Sequence, residues 1–79
     1  MAVISGSDVK QRMAALLKQP VERLEDGRVL TDLVAESFLL IEMVIQLQED
    51  LHIRLVQDDL NDVKTVGDLV QVVLAKTKG

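Results

Sequence analysis

Apolar positions fall into three stretches of helical period, separated by polar connections rich in turn residues. In the first, Val9, Met13, Leu16 and Leu17 recur at the spacing of one helix face. Ser7 or Asp8 is placed to cap the start. Lys18 suits the negative end of the helix dipole, and Pro20 biases Gln19 away from helical backbone. The pattern predicts a first helix over about residues 7 to 18. In the second stretch Leu40, Val44, Leu47 and Leu51 share a face, with Ile41 and Met43 widening it. This predicts a helix from about Ser37 to Leu51. The third stretch, Val66, Leu69, Val70, Val73 and Leu74, follows Thr65. Thr65 and Asp68 have the spacing of a capping box, with Asp as its acid. The β-branched residues here suit a helix because packing overrides weak propensity.

The connections differ in kind. Residues 19 to 36 hold Pro20, an Asp26-Gly27 turn signal and many charges, with Val21, Leu24, Val29, Leu30 and Leu33 as apolar anchors, of which Leu24, Leu30 and Leu33 are expected to pin the segment to the core. Loops of this length are uncommon in compact domains and are often functional. After Leu51, residues 52 to 56 read as an extended linker. Asp58 to Asp62 reads as a brief helix that cannot stand alone. The expected architecture is an all-α, four-helix bundle, with three main helices, one short helix and a long loop between helices one and two. One domain is expected over residues 1 to 79. The expected core comprises Val9, Met13, Leu16, Leu17, Leu30, Leu40, Val44, Leu47, Leu51, Ile53, Leu55, Val66, Leu69, Val70 and Val73. The tail from Lys76 to Gly79 is expected to fray.

Composition narrows the chemistry. There is no Cys, which excludes disulfides, thiolate metal sites and a cysteine nucleophile. A single His excludes a His-rich metal cluster, and no metal is expected. With one Phe and no Trp or Tyr, the chain lacks the stacking surface of a single-strand nucleic-acid binder. The amino terminus lacks the basic region of a signal peptide. The longest apolar run, Phe38 to Ile45, is broken by Glu42 and is too short to span a bilayer. No membrane or nucleic-acid partner is expected, and a cytoplasmic monomer fits. Residues 36 to 62 carry seven acids (Glu36, Glu42, Glu49, Asp50, Asp58, Asp59 and Asp62) against Arg54 alone. Such a surface repels nucleic acid and attracts basic protein surfaces.

Few groups could carry chemistry. A serine hydrolase needs a base beside its nucleophile. The lone His52 lies at the far end of the second helix from Ser37, over about 20 Å away at 1.5 Å per residue. The four glycines are scattered, so no phosphate loop forms, and Asp58, Asp59 and Asp62 lack calcium-loop spacing. That leaves Ser37, at the start of the second helix. A serine there is ordinarily an N-cap. The same position favours a phosphate group, because free amides and the helix dipole point at it. On the second helix Leu39 and Ile45 lie with Glu42 and Glu49, away from the core stripe. Either another segment covers them or they form a docking patch.

From Glu36 to Val72 the chain resembles the acyl carrier protein family. The family's Asp-Ser-Leu at the start of helix two appears here as Glu36-Ser37-Phe38, followed by an apolar and acidic helix. Leu47 to Ile53 matches the family's helix end and apolar linker, and Thr65-Val66-Gly67-Asp68 matches the opening of its last helix without change. The resemblance implies a carrier rather than an enzyme, with no catalytic residue. Ser37 would be the attachment site of a covalent 4′-phosphopantetheine, moved from coenzyme A by a magnesium-dependent phosphopantetheinyl transferase. The arm's thiol would hold acyl groups as thioesters and present them to an acyltransferase, ketosynthase or other acyl-modifying enzyme. The helices would shelter the acyl group. Met1 and the short tails fit a free-standing protein.

The chain departs from the family pattern at several points. Glu36 replaces Asp, Phe38 replaces Leu, Val34-Ala35 stands where a glycine is common, and Leu39 occupies a commonly acidic position. Gln46 and Gln48 dilute the acidity further. The recognition face formed by Glu36, Phe38, Leu39, Glu42, Ile45 and Glu49 is therefore greasier than in a fatty-acid carrier. It implies polyketide biosynthesis, with fatty-acid synthesis as the alternative. A nonribosomal peptidyl carrier would show Gly-Gly before the serine motif, where this chain has Val34-Ala35. A non-carrier helical adaptor with Ser37 as a plain cap is the alternative of a different class.

Overall fold

The computed structural model describes residues 4 to 77. The first helix, α1 (Gly6–Leu17), starts one residue before the predicted span. Its cap is Ser5 rather than Ser7 or Asp8. The Ser5 hydroxyl accepts the Asp8 amide at 3.2 Å, and Asp8 returns a carboxylate to the Ser5 amide at 3.0 Å. Asp8 is thus the acid of a capping box, satisfying two amides that helix geometry leaves free. Lys18 ends α1 in left-handed backbone at φ 57° and ψ 42°.

Residues 19 to 36 are not a plain loop. They contain two 3₁₀ turns, Val21–Arg23 and Leu30–Asp32. The segment is stitched to the start of the last helix through an isolated antiparallel bridge between Val29 and Thr65. Amides of Leu30, Val66 and Gly67 donate to the carbonyls of Lys64, Arg28 and Asp26, each at 2.9 Å. Leu24, Leu30 and Leu33 are buried as expected of anchors, whereas Val21 and Val29 are exposed, Val29 because its backbone is spent on the bridge to Thr65 at the surface. These bonds let a long connection lie against a core without orphaned backbone groups.

The second helix, α2 (Phe38–Leu51), ends at His52, again left-handed. A linker leads to α3 (Gln57–Leu60), a single turn placed slightly before its predicted span. Asp59 accepts the Val56 amide at 3.0 Å. The last helix, α4 (Val66–Thr77), opens on the predicted capping box. The Asp68 amide donates to Thr65 Oγ1, and Asp68 Oδ2 accepts from the Thr65 amide, both at 3.2 Å. α4 includes Lys76 and Thr77, the first two residues of the tail expected to fray, and the rest of that tail lies outside the described residues.

α1 packs against both α2 and α4, and α3 leans on α4. The core holds Val9, Met13, Leu47, Leu51, Leu55, Val66, Leu69, Val70 and Val73, with Leu24, Leu30, Leu33, Met43 and Ala14. Of the predicted core, Leu16, Leu17, Leu40, Val44 and Ile53 are half-buried and pack around it. Ile41 corrects the expectation. It is 62% exposed and does not widen the core face, whereas Met43 is 2% exposed and does. The buried stripe of α2 is therefore Met43, Leu47 and Leu51, one residue every turn.

Candidate functional site

Ser37 precedes α2 with φ −63° and ψ −26°, and its side chain makes no capping hydrogen bond. A serine that caps a helix has extended backbone and spends its hydroxyl on an amide two or three residues on. Ser37 does neither. The first turn is closed by backbone instead: the Leu39 amide donates to the Glu36 carbonyl at 3.1 Å and that of Leu40 to the Ser37 carbonyl at 3.0 Å. The hydroxyl is left uncommitted on an exposed residue at the positive end of a 14-residue helix. A phosphodiester would be favoured there.

His52, the one histidine of the chain, caps the opposite end of α2 from Ser37. Among the described residues no group of three or more His, Cys, Asp or Glu could hold a metal ion. No helix among them is long and apolar enough to cross a membrane.

Because its backbone is helical, Ser37 continues the register of α2. Its stripe runs through Ile41, Val44 and Gln48, at i+4, i+7 and i+11. Those three residues line a groove of about 350 Å³ between α2, α3 and α4. Leu30, Leu60, Val63 and Leu69 complete its apolar wall. No charged side chain lines it. Gln48 is tied up there, its Oε1 accepting the Leu55 amide at 2.9 Å.

The adjacent stripe of α2 is its outward crest. Phe38, Glu42, Ile45 and Glu49 follow one another there, apolar and acidic in alternation. Phe38 and Ile45 are each 51% exposed. Ile45 stays half exposed, so no segment among the described residues covers it fully. Leu39 is 37% exposed and turns toward Leu16 and Leu17 of α1, where it lines a second cleft, of about 370 Å³, with Glu42. The six residues of the predicted recognition face are all exposed, and Leu39 lies on its flank.

The acids divide into two sets, which sequence alone does not separate. Asp50 faces Arg12 at 3.9 Å and accepts from Gln46 at 2.9 Å. Asp59 pairs with Lys76 at 3.1 Å. The Val56 amide, and then Lys76, hold the Asp59 carboxyl below the ordinary range. These two acids tie helices together. Glu36, Glu42 and Glu49 are exposed and make no ion pair among the described residues, so their charge faces outward.

One residue behind the site escaped sequence reasoning. Gln19 donates through Nε2 to the Leu33 carbonyl at 3.2 Å, across the whole connection before Ser37. A polar residue beside Pro20 gives no local signal of so distant a partner.

Comparison with known proteins fits this geometry. A family model described as a phosphopantetheine attachment site matches residues 7–73. An acyl carrier protein of Sulfurovum sp. (strain NBC37-1) is 33% identical over 67 residues, which is 84% of this chain and 89% of that protein. One from Wolinella succinogenes is 30% identical over 67 residues, 84% of this chain and 88% of that protein. One from Shigella flexneri is 35% identical over 54 residues, 68% of this chain and 69% of that protein.

Proposed function

The chain belongs to the acyl carrier protein family, and on that premise we propose that Ser37 bears its covalent 4′-phosphopantetheine and that it serves polyketide biosynthesis. The observation that carries the first part is the uncommitted, exposed Ser37 hydroxyl at the positive end of α2. When bound, the cofactor supplies a terminal thiol that holds acyl groups as thioesters, a chemistry this Cys-free chain lacks. The protein's own part is binding and presentation. The neutral groove on the Ser37 stripe accepts an uncharged acyl chain, and burial of apolar surface there would favour its retreat from water. A carboxylate or ammonium would find no opposite charge in the groove, whose polar lining is the amides of Gln48 and Gln57, and would stay outside.

The pathway reading rests on the crest of α2. Phosphopantetheinyl transferase and acyl-handling enzymes would meet Phe38, Leu39 and Ile45 at the centre, with Glu36, Glu42 and Glu49 at the rim. An apolar centre supplies affinity, and rim charge supplies orientation and association rate. A carrier read mainly by its acids would bind with steep salt dependence; this face should bind with a shallow one.

The test is an intact mass after incubation with coenzyme A, magnesium and a permissive transferase. A gain of one phosphopantetheine, absent in Ser37→Ala, is expected. Failure with several transferases would sink the attachment site. Loading enzymes then address the pathway: malonyl-type acceptance keeps the polyketide reading, with fatty-acid synthesis as its alternative, and aminoacyl acceptance in its place would overturn it for a peptidyl carrier.

A further inference from the structure

We infer that Gln19 is a positioning residue for modification of Ser37, an inference that rests on Ser37 being the attachment site. Three observations converge on it. First, the Gln19 backbone is fixed to α1. Its amide donates to the Ala14 carbonyl at 3.0 Å, following the left-handed Lys18, the pairing that closes a helix end. Pro20 then holds the chain extended at φ −66°.

Second, the side chain is held at both ends of its amide. Oε1 accepts from Arg23 Nη1 at 2.9 Å, and Nε2 donates to the Leu33 carbonyl at 3.2 Å. The first bond orients the amide so that its donor faces Leu33. Arg23 is itself placed by the 3₁₀ turn, with its amide donating to the Pro20 carbonyl at 3.0 Å.

Third, Leu33 is the last hydrogen-bonded residue before Glu36, whose carbonyl already belongs to the first turn of α2, and Val34 between them is held only by packing against the core. The Leu33 amide donates to Leu30, and Leu30 donates to Lys64. Beyond Leu33, Val34 and Ala35 take part in no hydrogen bond among the described residues. The Gln19 bond therefore fixes the trailing end of the segment that delivers Ser37 to α2. Loss of that bond lets residues 34 to 37 sample other conformations. A transferase that needs one of them then sees only the competent fraction, which weakens its apparent affinity in proportion.

Gln19→Glu separates this role from simple packing. It keeps an acceptor for Arg23 and removes the donor to Leu33. Gln19→Leu removes both. The control is Ser5→Ala, which weakens the far end of α1 without touching residues 19 to 37. Transferase kinetics are followed by intact mass on the full chain. Amide exchange is read at residues 34 to 37.

For Gln19→Glu we expect kcat/KM to fall by about two- to tenfold, the factor one side-chain hydrogen bond carries. The fall should lie in KM with kcat retained, and exchange should rise at residues 34 to 37 before it rises in α1 or α4. Ser5→Ala should keep the parent kinetics. An unchanged kcat/KM in Gln19→Glu overturns the inference, and so does an equal fall in Ser5→Ala. A parent chain that takes no phosphopantetheine overturns the Ser37 reading itself, a result plainly distinct from the other two.

Discussion

The starts of α2 and α4 are built from similar residues and do opposite things. Each has a hydroxyl residue immediately before the helix, Ser37 in one case and Thr65 in the other. Thr65 is wholly engaged. Its hydroxyl takes the Asp68 amide, its own amide goes to the Asp68 carboxylate, and it bridges to Val29. Val66 is fully buried, and Gly67 lies against Asp26. Among the described residues, Ser37 is engaged only through its carbonyl. The Thr-Val-Gly-Asp motif is thus a folding device that staples the long connection to α4. The serine motif keeps its hydroxyl out of the fold. Each is recognisable in sequence, but for different reasons: one because the structure needs it, the other through the carrier chemistry proposed for it.

Gly67 offers the hardest way to break the comparison. A Cβ built there would stand 3.0 Å from the Asp26 carbonyl oxygen and 3.2 Å from its Cβ. That backbone oxygen also accepts the Gly67 amide, so it cannot retreat without losing the bond. Gly67→Val should destabilise the fold by about 1–3 kcal/mol, the range for overpacking a tight contact. Ser37→Ala should change stability by less than about 0.5 kcal/mol, as for a surface residue outside any cap or network. Urea unfolding of both variants with unchanged m-values would check this. A Ser37→Ala loss as large as that of Gly67→Val would mean that the serine belongs to the fold after all.

Thr65→Ala comes next. Loss of an N-cap hydroxyl costs about 1 kcal/mol. The bridge to Val29 is backbone and should survive. At a temperature where the variant stays folded, phosphopantetheine transfer to it should match the parent. A thermal melt and the same intact-mass time course measure both quantities on one sample. If Thr65→Ala slowed transfer while still folded, the stapled connection would be transmitting to Ser37, and the two helix starts would not be independent.

Much of this was legible in the chain because helical period, proline and capping residues are local signals. The ends of α1 and α2 lie within one residue of expectation, and the Thr65–Asp68 box was readable from spacing. What stayed hidden depends on distant neighbours. Ile41 falls beside the core stripe by period, yet its fate is set by where α3 and α4 lie, and they leave it open. Asp50 and Asp59 look like any other acid until Arg12 and Lys76 arrive from other helices. Ser37 was identifiable as the candidate, but whether it capped the helix needed the backbone angles. The Gln19 bond spans fourteen residues and has no local signature.

The finest test of the contrast is acid. The amides of Lys64 and Thr65, and then the Thr65 hydroxyl, hold the Asp68 carboxyl below its ordinary value of 3.8. A depressed carboxyl favours the folded state at pH values above its unfolded pKa, near 3.8, because the folded chain binds the proton less readily. That contribution is lost as pH falls through the lowered folded value. Asp8 behaves alike through the amide and hydroxyl of Ser5. Asp68→Asn should therefore be less stable than the parent at neutral pH. The gap should close on acidification through the range below about pH 4. The effect is the smallest expected here, because the carboxylate is exposed and water screens it. Ser37→Ala has no titrating partner to lose, so its stability should run parallel to the parent at every pH. A gap for Asp68→Asn that stayed constant down to pH 2 would show that its side chain acts by shape alone. A Ser37→Ala curve diverging from the parent in acid would show that the hydroxyl supports a carboxylate, and the separation between the two helix starts would fail.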